Sequence, residues 1–275
     1  MPFPLSTYRI LMPCKKERIF GVLDAAAQVA QPSIDITQYL VENRQPPNAS
    51  TQGPAALLYL LNWFSKDVMK QLQTEAGADT KTANAIGILA IQVFSRPAYL
   101  FNGQSLIELL WAKFHKVCPT LFGIFGQEDT RAGRERVGWL KEGGAYLEPS
   151  LFYGRLAGLA AGFAAITLRD YSRSQQTNPA PNWIFWESMA RILNTPANEV
   201  QPMQFVLVKA MIENSAERII KIWGAAGVGL LRQALIAFPS TTNPALRDDK
   251  GHPISTVTAV QAMPTVLRRD LKLTL

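Results

Sequence analysis

Apolar residues recur along most of the chain at the three- and four-residue spacing of amphipathic helices, and the alternation typical of strands is scarce. The clearest stripe lies within 54–75 and consists of Leu57, Leu61, Phe64, Val68 and Leu72. The same spacing predicts helices at 15–31, 34–43, 82–94, 105–118, 150–172, 183–196, 203–223, 228–238 and 257–273. Short turns join several of them, so the pattern predicts an all-α fold of stacked antiparallel helical hairpins, as in an α-solenoid.

Two local changes in composition suggest how the chain is divided. Segment 44–54 is rich in Pro, Gly, Ser and Asn and is the best candidate boundary. We therefore expect N-terminal helices and a linker in 1–54, a helical domain in 55–240, and a tail with a short helix in 241–275.

The most membrane-like stretch runs from Leu156 to Leu168, between Arg155 and Arg169. A membrane span needs about 20 apolar residues, so this shorter stretch predicts a buried core helix and no membrane span. The opening residues, broken by prolines and followed by a basic run, do not resemble a secretory signal.

The formal net charge of +7 indicates a surface that attracts anions, which include nucleic acid, anionic lipid, phosphorylated ligands and acidic proteins. Charge alone does not choose among them. Cys14 and Cys118 are too few for a disulfide framework or a metal cluster, which favours a reducing compartment.

Motifs for chemistry are scarce. The sequence contains no zinc-protease pattern, phosphate loop, nucleophile elbow or dinucleotide-binding turn. The glycine-rich run 224–229 follows a helix and has no lysine, so a helix break is favoured over a phosphate cradle. His115 and Cys118 lie three apart on one predicted helix, but no third orienting group is apparent; a polar helix end is favoured over a nucleophile or metal ligand.

Basic residues recur at helical spacing on two predicted helices and again in the glycine-rich loop 119–149 that follows the second. They are Lys66, Lys70, Lys113, Lys116, Arg131, Arg134, Arg136 and Lys141. A shared anion pocket is one interpretation. A solvated face, with lysines complementing a helix C-terminus, is the other, and the spacing alone leaves both open.

Five stretches together resemble the C-terminal domain of the Gle-one family of messenger-RNA export mediators at the nuclear pore. They are 60–71 (LLNWFSKDVMKQ), 109–119 (LLWAKFHKVCP), 136–169, 178–196 (NPAPNWIFWESMARILNTP) and 205–235. The resemblance covers about 55–238 and includes order and spacing as well as content.

The resemblance implies stacked helical hairpins related to the middle domain of translation initiation scaffolds, with no catalytic activity. It implies binding to a DEAD-box RNA helicase at the cytoplasmic face of the nuclear pore, stimulation of its ATPase, and inositol hexakisphosphate as a tether. A phenylalanine-glycine nucleoporin C-terminal segment is a further implied partner. The alternative function is a helical scaffold that binds RNA, or a translation initiation or termination factor, directly through the basic surface. Cytoplasm and nucleus are further expected locations.

The resemblance also implies which residues hold the polyphosphate. The positions matching the family's basic pocket are Lys66, Lys70, Lys113, His115, Lys116, Arg134, Arg136 and Lys141. The aromatic residues Trp183, Phe185 and Trp186 are interpreted as core in preference to a nucleoporin interface.

The sequence departs from the family pattern at both ends. The first fifty residues match it poorly, and the chain ends soon after 238 where the family has further helices. The coiled coil that precedes the domain in the family does not occur here, as expected of a fragment or a truncated gene model.

Overall fold

The computed structural model describes residues 5–40, 51–172, 174–176, 178–240 and 243–275. The Cα positions divide the chain into two compact units. The first contains 1–68, 89–112 and 171–179, and the second contains 69–88, 113–170 and 180–275. The predicted boundary at 44–54 falls largely outside the described residues, and the three-part division predicted from composition stays a prediction.

Helices make up most of the described chain. They are α1 (Leu5–Ala27), α2 (Ala55–Ala78), α3 (Ala83–Phe94), α4 (Glu108–Val117), α5 (Arg131–Arg136), α6 (Pro149–Thr167), α7 (Trp183–Leu193), α8 (Pro202–Glu213), α9 (Ala216–Trp223), α10 (Ala225–Arg232), α11 (Ser255–Gln261) and α12 (Met263–Leu271). Within the described ranges, strands are limited to two short antiparallel pairs, β1 (Ser33–Asp35) with β2 (Gln52–Pro54) and β3 (Lys141–Glu142) with β4 (Ala145–Tyr146). The predicted all-α fold is confirmed.

Within the first unit, the sequence-based expectation for 34–43 is wrong over its described part. Ser33–Asp35 forms β1, and Thr37–Tyr39 forms a 3₁₀ turn in which Asp35 Oδ1 accepts the backbone N–H of Thr37. Residues 33–35 pair with a strand at 52–54, and this pairing competes with helix formation. The apolar spacing within 34–43 gives no information about a partner that is distant in sequence.

Close helix packing in the second unit depends on the small residues of α6. Leu72 on α2 faces Gly158 and Gly162, and Gly77 faces Gly154, so the two helices run antiparallel. From Gly158 to Thr167 every residue of α6 is buried. The predicted core helix is therefore confirmed, with α8 packed along its length.

α6 is also long and apolar enough, by length and composition, to cross a membrane. Two thirds of its most apolar window is buried by neighbouring segments, as in the core helix of a water-soluble fold. The burial supports the core interpretation.

Three further expectations need correction. The single helix predicted at 203–223 is broken at Asn214 and Ser215, and the one at 257–273 is broken at Ala262. The loop 119–149 contains a 3₁₀ turn, α5 and the β3–β4 hairpin. The predicted break at Gly224 is confirmed, because this residue has φ of +55° between α9 and α10.

The aromatic cluster at 183–186 divides between core and surface. Phe185 is fully buried and stacks on Trp223, as the core interpretation requires. Trp183 is 52% exposed and lies outside the core.

The contact between α2 and α6 predicts a sharp difference between two glycines. A Cβ at Gly158 would overlap the carbonyl oxygen of Leu72, whereas one at Gly154 would lie 3.5 Å from the carbonyl oxygen of Gly77. We expect Gly158→Ala to lower the free energy of unfolding by about 1–3 kcal/mol through overpacking. Gly154→Ala, the matched control, should be neutral or stabilising by up to about 1 kcal/mol, because alanine is the better helix former. Urea denaturation measures the free energy of unfolding of both variants. Equal changes in the two would contradict the close approach of α6 to α2 at Gly158.

Candidate anion-binding site

The C-terminal end of α4 has a buried apolar side and an exposed polar side. Phe114 is fully buried and meets Phe163 of α6 edge-on, with the ring centroids 5.8 Å apart. His115 and Lys116 are exposed, and Lys113 is half-buried. The structure thus brings these three predicted residues together on the outer side of one helix whose inner side is held by the core.

His115 lies flat against Phe122, with ring centroids 3.5 Å apart and an interplanar angle of 21°. Partial burial lowers the pKa of its imidazole, and the nearby positive charge of Arg191 lowers it further. Both causes favour a neutral ring at neutral pH.

Arg191 is a candidate residue that the sequence reasoning missed. It lies in the last turn of α7, and its side chain packs over Gly123, which has φ of +84° just after the 3₁₀ turn Pro119–Phe122. Its guanidinium pairs with Glu187 one turn earlier on the same helix. Arg191 is 76 positions from His115 in sequence, so only the fold could place the two side chains near each other.

Cys118 does not form a reactive pair with His115. The thiol is fully buried, and burial raises its pKa to about 12. Because the nucleophile in cysteine chemistry is the thiolate, a thiol in this state is inert at neutral pH. The polar helix end is therefore the better interpretation of this stretch.

A second group of cations lies on α5 and the β3–β4 hairpin. The Thr130 hydroxyl accepts the N–H of Gly133 and caps α5. Arg134 lies 4.9 Å from the centroid of Trp139 and 5.3 Å from that of Tyr146. Its Nε donates to the Glu128 carbonyl, so much of this guanidinium is engaged in holding the loop together.

The remaining two predicted residues of this group differ in their surroundings. Lys141 pairs with Glu135 at 2.9 Å and lies 4.6 Å from the centroid of Tyr146. The hydrogen bond to Glu135 raises the pKa of Lys141. Arg136 is exposed at the end of α5.

Lys66 and Lys70 lie one turn apart on the exposed side of α2. The Lys66 ammonium lies 5.2 Å from the centroid of the Trp63 ring. Lys66 falls in the first unit, and the other seven predicted residues fall in the second.

The described ranges contain no group of three or more His, Cys, Asp or Glu residues that could hold a metal ion. What the second unit offers instead is a series of cationic side chains on an aromatic base. Such a surface suits phosphate oxygens, with lysine as an adaptable point charge and arginine as a two-pronged donor.

The neighbourhood of His115 yields a direct test. Arg191→Gln removes a positive charge, so we expect the pKa of His115 to rise while staying below its ordinary value because of burial. Arg191→Lys keeps the charge and serves as the control. A nuclear magnetic resonance titration in a His252→Gln background isolates the signal of His115, since the chain has two histidines. An unchanged pKa of His115 in Arg191→Gln would show that the charge of Arg191 does not act on the imidazole.

Comparison with known proteins agrees with this fold, and it corrects the expected start of the resemblance, because the family match begins at residue 18 and not near 55. The family model "GLE1-like protein" matches residues 18–235. The chain is 38% identical over 267 residues to "mRNA export factor GLE1" of Chaetomium thermophilum, covering 95% of this chain and 49% of that protein. It is 28% identical over 186 residues to the Saccharomyces cerevisiae protein of the same name, covering 66% of this chain and 34% of that protein. The chain thus spans about half the length, or less, of these relatives.

Solved structures show the same fold. A complex described as the S. cerevisiae Dbp5 C-terminal domain, in a single-substitution variant, bound to Gle1 and IP6 aligns with a TM-score of 0.67 at 21% identity. A second such complex, with a Gle1 variant, aligns with the same TM-score at 20% identity. Each alignment covers 99% of this chain and 88% of the matched chain. With a family model matching most of its length, this chain belongs to the GLE1-like protein family.

Proposed function

We propose that this protein is a non-enzymatic activator of a DEAD-box RNA helicase in messenger-RNA export, acting at the cytoplasmic face of the nuclear pore. Inositol hexakisphosphate is proposed as the ligand that bridges the two proteins. The observation that carries this proposal is the basic end of α4, where His115 and Lys116 are exposed and the charge of Arg191 acts on His115. Support also comes from solved relatives described as complexes of Gle1, Dbp5 and IP6.

The proposed pocket has a centre and a margin. Lys113, His115 and Lys116 of α4 form the centre together with Arg191 of α7, because His115 stacks on Phe122 and the charge of Arg191 acts on its imidazole. Within the second unit, the margin consists of Lys70, Arg134, Arg136 and Lys141, while the role predicted for Lys66 of the first unit stays a prediction. Arg134 and Lys141 already hold loop partners, so they contribute mainly long-range charge unless those contacts rearrange.

Electrostatics and population shift explain how such a domain activates a helicase without chemistry of its own. A ligand with six phosphates neutralises basic surface on both proteins and lowers the repulsion between them. If the complex binds one helicase lobe held apart from the other, it favours the open state that releases RNA and nucleotide. The inert, buried Cys118 fits a protein that supplies binding and no catalysis.

The remaining expectations belong to the same proposal. A phenylalanine-glycine nucleoporin segment would tether the protein at the pore, and cytoplasm and nucleus are the expected compartments. Translation initiation or termination factors are further candidate partners, since the family resemblance implies a fold related to translation initiation scaffolds.

The proposal predicts a charge-specific loss of function. Lys113→Glu with Lys116→Glu should weaken hexakisphosphate binding at least about tenfold, because each lost charge-assisted contact is worth roughly 1.5–3 kcal/mol. Stimulation of helicase ATPase should fall with it. Lys250→Glu with Arg268→Glu changes the net charge equally on two other exposed residues and should retain both activities. Calorimetry measures hexakisphosphate binding, and an ATPase assay measures stimulation of the helicase. Equal losses of binding and stimulation in the two double variants would rule out the proposed pocket.

One surface favours a second candidate function, direct binding of single-stranded RNA. Tyr59 and Trp63 on α2 are 61% and 47% exposed, meet edge-to-face at 6.4 Å, and continue into Lys66. Exposed aromatic rings beside lysines are what bases and phosphates require for sequence-independent binding.

If RNA binds there, Trp63→Ala should weaken binding by about 1–3 kcal/mol, the usual loss for one stacked base. Trp183→Ala replaces an equally exposed tryptophan on α7 and is the control. Gel-shift titrations with single-stranded RNA at several salt concentrations decide the matter, since phosphate contacts produce a linear log–log salt dependence. Undetectable binding at low salt would eliminate this candidate.

A further inference from the structure

Glu128 is a buried carboxylate at the junction of three segments in the second unit. Its side chain is only 7% exposed. Oε2 accepts the Tyr153 hydroxyl of α6 at 2.6 Å, and Oε1 accepts the backbone N–H of Met203 at 2.7 Å, in the first turn of α8. A carboxylate in this position complements the positive end of the α8 dipole.

The backbone of Glu128 adds two more contacts. Its N–H donates to the Gln201 side chain at 3.1 Å, and its carbonyl accepts from Nε of Arg134. Through Arg134, Glu128 connects to the rings of Trp139 and Tyr146, and so to the segment that also carries Arg136 and Lys141.

In the other direction, the network reaches α7. Gln201 N–H donates to Gln204 Oε1, and Gln204 Nε2 donates to the Thr195 hydroxyl at 2.8 Å. That hydroxyl donates to the carbonyl of Ile192, the residue after Arg191. One buried residue thus ties the loop with the second group of cations to the helix end that carries Arg191.

Stability alone does not explain an ionisable residue here. Burial raises the pKa of Glu128, with the Tyr153 and Met203 hydrogen bonds and the charge of Arg134 acting in the opposite direction. Because the folded-state pKa is raised, the contribution of this group is greatest at low pH and is lost as pH rises through the raised pKa. Its ionised form therefore costs stability at neutral pH, although its hydrogen bonds organise both basic segments.

We propose that Glu128 is a positioning residue: its side-chain hydrogen bonds to Tyr153 and Met203 fix the backbone at 128. The backbone contacts to Arg134 and Gln201 then hold the basic loop and the Arg191 end of α7 in a single arrangement that binds one polyanion. The expected effect on polyanion binding rests on the proposed function. The physical linkage between the basic loop and the Arg191 end of α7 does not.

The network requires hydrogen bonds at Glu128 but not charge. A glutamine can accept from Met203 N–H and donate to the Tyr153 oxygen, which preserves both contacts in neutral form. An alanine loses both and leaves the Met203 N–H and the Tyr153 hydroxyl without this partner. Glu128→Gln and Glu128→Ala therefore separate positioning from ionisation.

Hydrogen exchange on the whole chain tests the linkage without any ligand. We expect Glu128→Ala to accelerate amide exchange at least about tenfold both in 129–147 and in 194–204, while Glu128→Gln stays close to the parent protein. Tyr153→Phe removes one contact only and should have a smaller effect of the same kind; it also serves if Glu128→Ala does not fold. Acceleration limited to one segment, or none, overturns the linkage.

Calorimetry with inositol hexakisphosphate tests the consequence. Binding should weaken about tenfold in Glu128→Ala and by less than about twofold in Glu128→Gln. Ile219→Val, a truncation of a fully buried side chain in α9, controls for general destabilisation and should bind normally. Unchanged affinity in Glu128→Ala, or equal loss in Ile219→Val, overturns the positioning role. If the parent protein does not bind hexakisphosphate, the proposed function fails, and the exchange data alone decide the linkage.

Discussion

The close contact between α2 and α6 is the constraint on which the second unit depends. Gly158 brings the backbone of α6 against the carbonyl of Leu72, at a distance that no side chain larger than hydrogen allows. This contact buries α6 on the side of α2, and α8 covers it along another side. An apolar helix surrounded in this way supplies a rigid base, since protein cores are packed as densely as organic crystals.

From that base a series of aromatic rings leads to the surface. Phe163 of α6 meets Phe114 and Phe122 edge-on, and Phe122 supports the imidazole of His115. Buried rings thus support the polar end of α4 from the core side. Side chains fixed from below lose less conformational entropy when a ligand binds, which favours recognition at this edge of the unit.

Patterns that act within one helix were readable from the sequence, and arrangements that depend on the tertiary fold were not. The stripe of α2 and the apolar circumference of α6 predicted both helices, because burial of an entire helical face produces a local signal. The strand at 33–35 pairs with residues at 52–54, so its helical spacing was misleading. No local spacing singles out Arg191 or Glu128, because the contact of Glu128 with Met203 and the effect of Arg191 on His115 each join residues about 75 positions apart. Helical spacing alone paired Lys113 with Lys116, and the family resemblance added His115 to that group. The engagement of Arg134 with Trp139 required the fold of the loop.

The lowered pKa of His115 has a consequence for the energetics of the proposed ligand. Negative charge favours the cationic form of an imidazole, so a bound polyanion would raise the pKa of His115 from its lowered value. Association would then be coupled to proton uptake from the solvent. The observed heat of association would vary with the ionisation enthalpy of the buffer, and mild acidification would tighten the complex without any change in its contacts.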